Sequence, residues 1–198
     1  MEKLMLIGIV GAPGSGKSTL AARLYADLME LGINSSRLVT EFAVEWLGQG
    51  NEINTRTQRI ISITQEDREQ YSIDSKFDPI ICDSVIWLGA VYAELGWGEA
   101  PKDLDREMVN GLYHRTLNRY DITIYVPLFD AVDKTNTFRI HNAEQSKCVD
   151  DLIREKLKLV KNGNWVQSPK KIEERSAWIK NAASFIMHRM EDNVALHR

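Results

Sequence analysis

Lys17 and Ser18 close the run Gly11-Ala-Pro-Gly-Ser-Gly-Lys-Ser, which has the spacing G-x-x-x-x-G-K-[ST]. Residues of these types in this order bind a polyphosphate. Gly11, Gly14 and Gly16, with Ser15 between the last two, let the backbone curl with its N–H groups turned toward an anion. The Lys17 ammonium would bridge the β and γ phosphates, the Ser18 hydroxyl would ligate Mg²⁺, and Thr19 would touch the α phosphate. ATP and Mg²⁺ are therefore the expected cofactors. The motif establishes nucleotide binding and leaves the reaction open.

Two acids are placed to take part in a reaction. Asp83 ends the apolar run Pro79-Ile-Ile-Cys, and a carboxylate there is costly to bury without a cation. It would hold Mg²⁺ through water, take the acceptor's proton, or both; its alternative is to cap a helix starting near Val85. Glu41 follows a short apolar segment and is the candidate general base or anchor of an acceptor hydroxyl, with helix N-terminal stabilisation as its alternative. Glu45, one turn on, reads equally well as a surface charge. Among Arg139, Lys147 and Arg154, Arg139 in a polar loop is the candidate cation to close over the γ phosphate. His141 beside it reads as loop decoration. Trp46 and Trp87 are the aromatics best suited to stack on a flat base, whereas Tyr92 and Trp97 read as core.

Positioning these groups requires an alternation of strands and helices. Leu4 to Val10 is an apolar strand that feeds the phosphate loop, and a helix with Leu20, Leu24, Leu28 and Leu31 on one face begins near Gly16 and Lys17. That puts the helix N-terminus against the same phosphates. Ser36 to Thr40 supplies a second strand and Glu41 to Leu47 a short helix. Thr55 to about Ser72 is a long helix with Ile60, Ile61, Ile63 and Thr64 inward. A third strand, Pro79 to Asp83, precedes a helix over Val85 to Leu95. Asp103 to Tyr120 is helical with the stripe Leu104, Met108, Leu112 and Leu117. A fourth strand spans Ile122 to Val126; Asn142 and Gln145 form a capping box for a helix to about Val160. Asn164 to Gln167 and a closing helix from Ile172 to Met190, with Ile179, Phe185 and Ile186 inward, complete the chain. The expected fold class is α/β, a three-layer P-loop NTPase sandwich around a parallel five-stranded sheet, and right-handed crossovers with the precedent of other P-loop proteins give, by analogy, the order 2-3-1-4-5.

Composition sets the frame. With 198 residues, 43% hydrophobic and 27% charged, the chain fits one domain over 1–198 with a small lid at about 129–147. The net charge of -3 gives no global attraction to nucleic acid. Cys82 and Cys148, the two cysteines, suggest neither a disulfide framework nor a zinc site. The N-terminal apolar run is a core strand rather than a signal peptide, and no run reaches membrane-spanning length. A cytoplasmic protein is expected, with its oligomeric state open.

The loop GAPGSGKST, the stretch Thr40-Glu-Phe-Ala-Val-Glu-Trp46, the pair Gln65-Glu66, the strand Ile80-Ile-Cys-Asp-Ser84 and the later loop with Arg139 resemble the ribosylnicotinamide-kinase-like group of P-loop proteins, within the broad AAA-domain-type family. The resemblance runs through nearly the whole chain. It implies transfer of the ATP γ phosphate to a hydroxyl of a nucleoside-type acceptor, with Glu41 and Asp83 at the acidic positions and Arg139 as the lid arginine. The chain departs from that pattern at Val44 and Ser84 and lacks a second lid arginine close to Arg139; Lys147 is the substitute within reach.

Two acceptor classes follow, a free nucleoside or nucleotide and a hydroxymethylated pyrimidine within phage DNA. A groove carrying Arg56, Arg59, Lys102, Arg106, Arg115 and Arg119 would serve the second. A different reading is an ATPase or GTPase switch that binds a DNA or protein partner and has no phosphoryl acceptor. An N-K-x-D motif for a GTPase is absent from the sequence, and Asp83 is followed by Ser84 rather than the paired acid of a motor.

Overall fold

The computed structural model describes residues 4–95, 103–129 and 142–196. Five strands, β1 (Leu6–Val10), β2 (Arg37–Val39), β3 (Ile80–Asp83), β4 (Ile122–Tyr125) and β5 (Trp165–Gln167), form one sheet in the order β2-β3-β1-β4-β5. All four pairings are parallel, as the strand–helix alternation requires. The helices are α1 (Lys17–Glu30), α2 (Phe42–Gly48), α3 (Thr55–Asp74), α4 (Leu88–Leu95), α5 (Asp103–Thr116), α6 (Ala143–Leu157) and α7 (Ile172–Leu196).

Alternate residues of β1 serve opposite faces of the sheet. Ile7 and Ile9 pack with Leu20, Leu24 and Leu28 of α1 and with Ile179 and Ile186 of α7. Leu6 and Val10 face the other layer, where Val91 of α4, Tyr113 of α5 and Ile153 of α6 meet them. Burial on both faces is why β1 and β3 are continuous apolar runs. The capping box of Asn142 and Gln145 is present at the start of α6.

The parallel arrangement delivers three strand ends to one edge. Ile9 lies opposite Asp83 and Val39 opposite Cys82. Glu41 therefore emerges one residue beyond the level of Asp83, beside the loop that leaves β1.

Several apolar stripes turn out rotated. The inner face of α3 is Gln58, Ile61, Ser62, Gln65, Glu69 and Ser72, whereas Ile60, Ile63 and Thr64 are only half-buried. This helix packs on α4 and α5 at the ligand-bearing end of the sheet, so much of its inward face meets polar groups. In α5 the stripe is Val109, Leu112 and Tyr113, and Met108 is exposed; in α7 Phe185 is exposed and Ile186 buried. Leu31 lies past the end of α1, on the surface. Among the described residues no helix is long and apolar enough to cross a membrane.

Candidate active site

The phosphate loop takes its shape from its glycines. Gly14 and Gly16 sit at φ of 85° and 84°, where a Cβ is disfavoured. A Cβ on Gly11 would stand 2.4 Å from Ser15 Oγ and 2.6 Å from the Val126 carbonyl oxygen. The first turn of α1 has neither a side-chain cap nor an acid, so its N–H groups are left for an anion. Ser15 Oγ is buried against Gly11 with no hydrogen-bond partner.

Above the loop, Lys17 Nζ lies 2.7 Å from Glu41 Oε2. An ammonium has three donors, so the pairing leaves others for phosphate oxygens. Burial pushes the Lys17 pKa down, but Glu41, Tyr92 and Asp83 more than reverse this, and the lysine holds its proton more tightly than usual. Glu41 occupies the N-cap position of α2, yet its side chain makes no capping bond.

Asp83 is buried beside this pair. Burial raises its pKa, opposed by Lys17 and by a hydrogen bond with the Ser18 hydroxyl. Its Oδ1 has no partner. It does not cap the following helix, because α4 begins only at Leu88, after Ser84 at φ of 105° and a turn. A positive φ is costly at a serine and fixes the chain direction immediately after the acid. The adjacent Ser18 and Asp83, the latter with an orphaned carboxylate oxygen, suit a cation that takes few protein ligands and completes its shell with water and phosphate, as Mg²⁺ does. The described residues contain no cluster of three His, Cys, Asp or Glu side chains that could hold a metal alone.

The structure thus brings together Gly11, Gly14, Ser15, Gly16, Lys17, Ser18, Glu41 and Asp83; Thr19 lies exposed on the first turn of α1. Arg139, His141, Trp97 and Lys102 lie outside the described residues. Lys147 is exposed on α6, and Arg154 is held by Asp150 and Tyr125, 3.0 to 3.1 Å from the Asp150 carboxylate and 2.8 Å from the phenol oxygen. Glu45 forms a two-point ion pair with Arg68, both contacts at 2.6 Å, at the surface.

Trp87 cannot stack on a ligand: it is fully buried in the core among α4, α5 and α6. Trp46 is tied down by an Nε1–H bond of 2.9 Å to the Glu52 carbonyl. Tyr92 is the aromatic that belongs to the site. It lines a cavity with Glu41 and lies close enough to Lys17 and Glu41 to feel both; burial, chiefly, raises its pKa.

Arg175, at the start of α7, carries no sequence signal. Its guanidinium is buried without an acidic partner among the described residues and donates to three carbonyls: Ser15 at 2.7 Å, Pro169 at 2.8 Å and Pro127 at 3.1 Å. It also lies 4.2 Å from the Phe129 ring centroid. Burial lowers its pKa. The side chain clamps the back of the phosphate loop to two other connections.

A family model described as the AAA domain matches residues 6–175. The solved structure of the NadR protein in complex with NR superposes with a TM-score of 0.70 at 16% identity, covering 94% of this chain and 51% of that one. The NadR protein in complex with NAD and AMP-PNP gives 0.63 at 17% identity, covering 94% and 49%. The chain spans about half the length of these structures, and the likeness is one of fold. No curated protein sequence matches the chain.

Proposed function

The chain belongs to the AAA-domain family, and from that premise we propose that it is an ATP-dependent kinase that phosphorylates a hydroxyl of a free nucleoside-type acceptor. The observation that carries this reading is the convergence of Glu41 and Asp83 on Lys17, above the phosphate loop and beside a cavity that Glu41 itself lines. Asp83, as the acid of the cation site, would serve a hydrolytic switch as well as a kinase. An acid poised next to both the lysine and a cavity serves an incoming alcohol. NadR, solved with NR and with NAD and AMP-PNP, is a fold relative whose ligands support the reading of a nucleoside-type acceptor and a nucleotide donor.

In this mechanism the loop amides and Lys17 hold the triphosphate and neutralise charge on the γ phosphoryl group. Ser18 and Asp83 would hold Mg²⁺, which supplies further charge neutralisation when bound. The acceptor hydroxyl oxygen forms the new bond to γ phosphorus as the bond from phosphorus to the β–γ bridging oxygen breaks, and ADP leaves. The hydroxyl proton passes to the Glu41 carboxylate, which stands at the cavity wall. Arg139 is retained as the proposed lid cation.

A free nucleoside is favoured over DNA because three of the six cations of the supposed groove are engaged. Arg59 pairs with Asp105, Arg115 with Glu66 and Arg119 with the buried Glu69. The test is γ-labelled ATP with nucleosides, mononucleotides, and natural and base-hydroxymethylated DNA. Label on a free nucleoside is the expected result. Label only in DNA would overturn the choice of acceptor, and label only in inorganic phosphate, indifferent to any acceptor, would replace the kinase by a switch.

A further inference from the structure

The inner face of α3 is unusual for a buried helix face. Gln58, Ser62 and Gln65 point inward at spacings of four and three, and with Glu41, Ser84 and Tyr92 they line a narrow cavity of about 20 Å³, room for a single polar atom at its inner end. α4 approaches this face closely, since a Cβ on Gly89 would lie 2.2 Å from Ser62 Oγ. A run of buried polar side chains costs stability wherever their hydrogen bonds go unmade.

Gln65 shows where the cost is concentrated. Its Oε1 accepts a hydrogen bond of 3.1 Å from the Phe42 backbone N–H. A donor at that point requires the amide oxygen to face it, which fixes the orientation of the amide. The other end, Nε2, then carries two donor hydrogens, is buried, and meets no acceptor. The residue as a whole is only 4% exposed. A pinned, buried amide with its donor end unpaired is built to receive an acceptor atom from a ligand.

We infer that Gln65 is a specificity-determining residue that donates from Nε2 to a carbonyl oxygen on the planar ring of the acceptor nucleoside, either a ring carbonyl or an exocyclic carboxamide. The inference rests on the kinase reading of the same site. It also explains why the residue is tied to Phe42. Phe42 is the first residue of α2 and follows Glu41 directly, so one amide both reads the ring and fixes the backbone next to the acid that meets the hydroxyl. Binding of a ring without the carbonyl leaves the donor unpaired, and discrimination of this kind is larger than a lost apolar contact gives.

The experiment compares matched acceptors. Uridine, inosine and ribosylnicotinamide are each paired with the analogue lacking the ring carbonyl or carboxamide oxygen, and kcat/KM for label transfer from γ-labelled ATP is measured. For any acceptor that is phosphorylated, the carbonyl-bearing member should be favoured by about tenfold or more. In Gln65→Met that preference should collapse to about one, whatever the overall rate, while the KM for ATP is unchanged. Gln65→Glu keeps an acceptor for the Phe42 N–H but loses the donor; it is the second variant should the methionine variant fail to fold, and its preference should collapse as well. A preference absent from the wild type, or retained in the variants, overturns the assignment of Gln65 and leaves the kinase standing. No labelled acceptor at all overturns the kinase reading and this inference with it.

Discussion

Two clusters of buried charge lie against β3, and they differ in what they leave unfinished. At the strand's end, Lys17, Glu41 and Asp83 crowd together with an orphaned oxygen on Asp83 and spare donors on Lys17. Partway along, on the α3 side, Glu69 has both carboxylate oxygens engaged: Tyr120 Oη donates to one at 2.9 Å and Arg119 Nε to the other at 3.1 Å. Tyr120 in turn accepts a hydrogen bond of 2.8 Å from the Ile86 N–H, so the cluster holds the chain just past Asp83. Glu69 is fully buried. A buried acid with both oxygens paired is part of the frame, whereas one with an oxygen to spare is waiting for a ligand. The contrast is one between the two acids, since Arg119 Nη2 in the second cluster is itself buried without a partner.

The largest effect should come from the first cluster. Lys17→Ala should lower kcat/KM for transfer by about 100-fold or more, through lost phosphate contacts. Turnover near that of the wild type would remove the phosphate loop from the mechanism. Glu41→Gln should cut transfer to the acceptor by about 100-fold while ATP affinity, read by equilibrium titration, changes little. An equal loss of both would make Glu41 a structural neighbour of Lys17 and no more. Asp83 sharpens the point through pH. Burial raises its pKa, so the ionised form needed to hold a cation is lost, as pH falls, earlier than for an ordinary aspartate. The acid limb of the pH–rate profile should therefore shift downward in pH when ATP and Mg²⁺ are saturating, since a bound cation favours the carboxylate.

The second cluster should act on stability instead. Burial raises the Glu69 pKa from the usual 4.5 to about 7, against the pull of Arg119 and Tyr120. The folded chain thus binds this proton more tightly than the unfolded chain does. Its contribution is greatest below about 4.5 and is lost as pH rises through about 7. Glu69→Gln keeps the shape and removes the titration, so the fall in melting temperature across that interval should flatten, with phosphoryl transfer little changed. A variant that lost transfer as fully as Glu41→Gln would erase the distinction between the two clusters.

The strands and the phosphate loop were legible because both are encoded locally, whereas the sheet order followed from the precedent of other P-loop proteins. Leu4 to Val10 reads as a buried strand, found over Leu6–Val10, and the glycines before Lys17 admit few other uses. The convergence of Glu41 and Asp83 was legible one step further, since parallel strands must end at a common edge. Other features were not. The expected inward face of α3 followed hydrophobicity, but the helix lies where a cavity and Glu69 need polar neighbours, so Gln58 and Gln65 displace Ile60 and Ile63. Trp87 and Tyr92 exchanged their expected places because the chain turns after Ser84 before α4 begins, which shifts the phase of the helix face. Arg175 left no trace at all. Its partners are backbone carbonyls, which every residue possesses, and no spacing announces them.

The reach of that arginine has a temporal meaning. It touches Ser15 across 160 positions of sequence. During synthesis the glycines, the lysine and the first helix emerge early, yet the strut behind them arrives only when α7 begins to form. A nascent chain consequently owns every residue of the phosphate cradle long before it owns the strut that braces it.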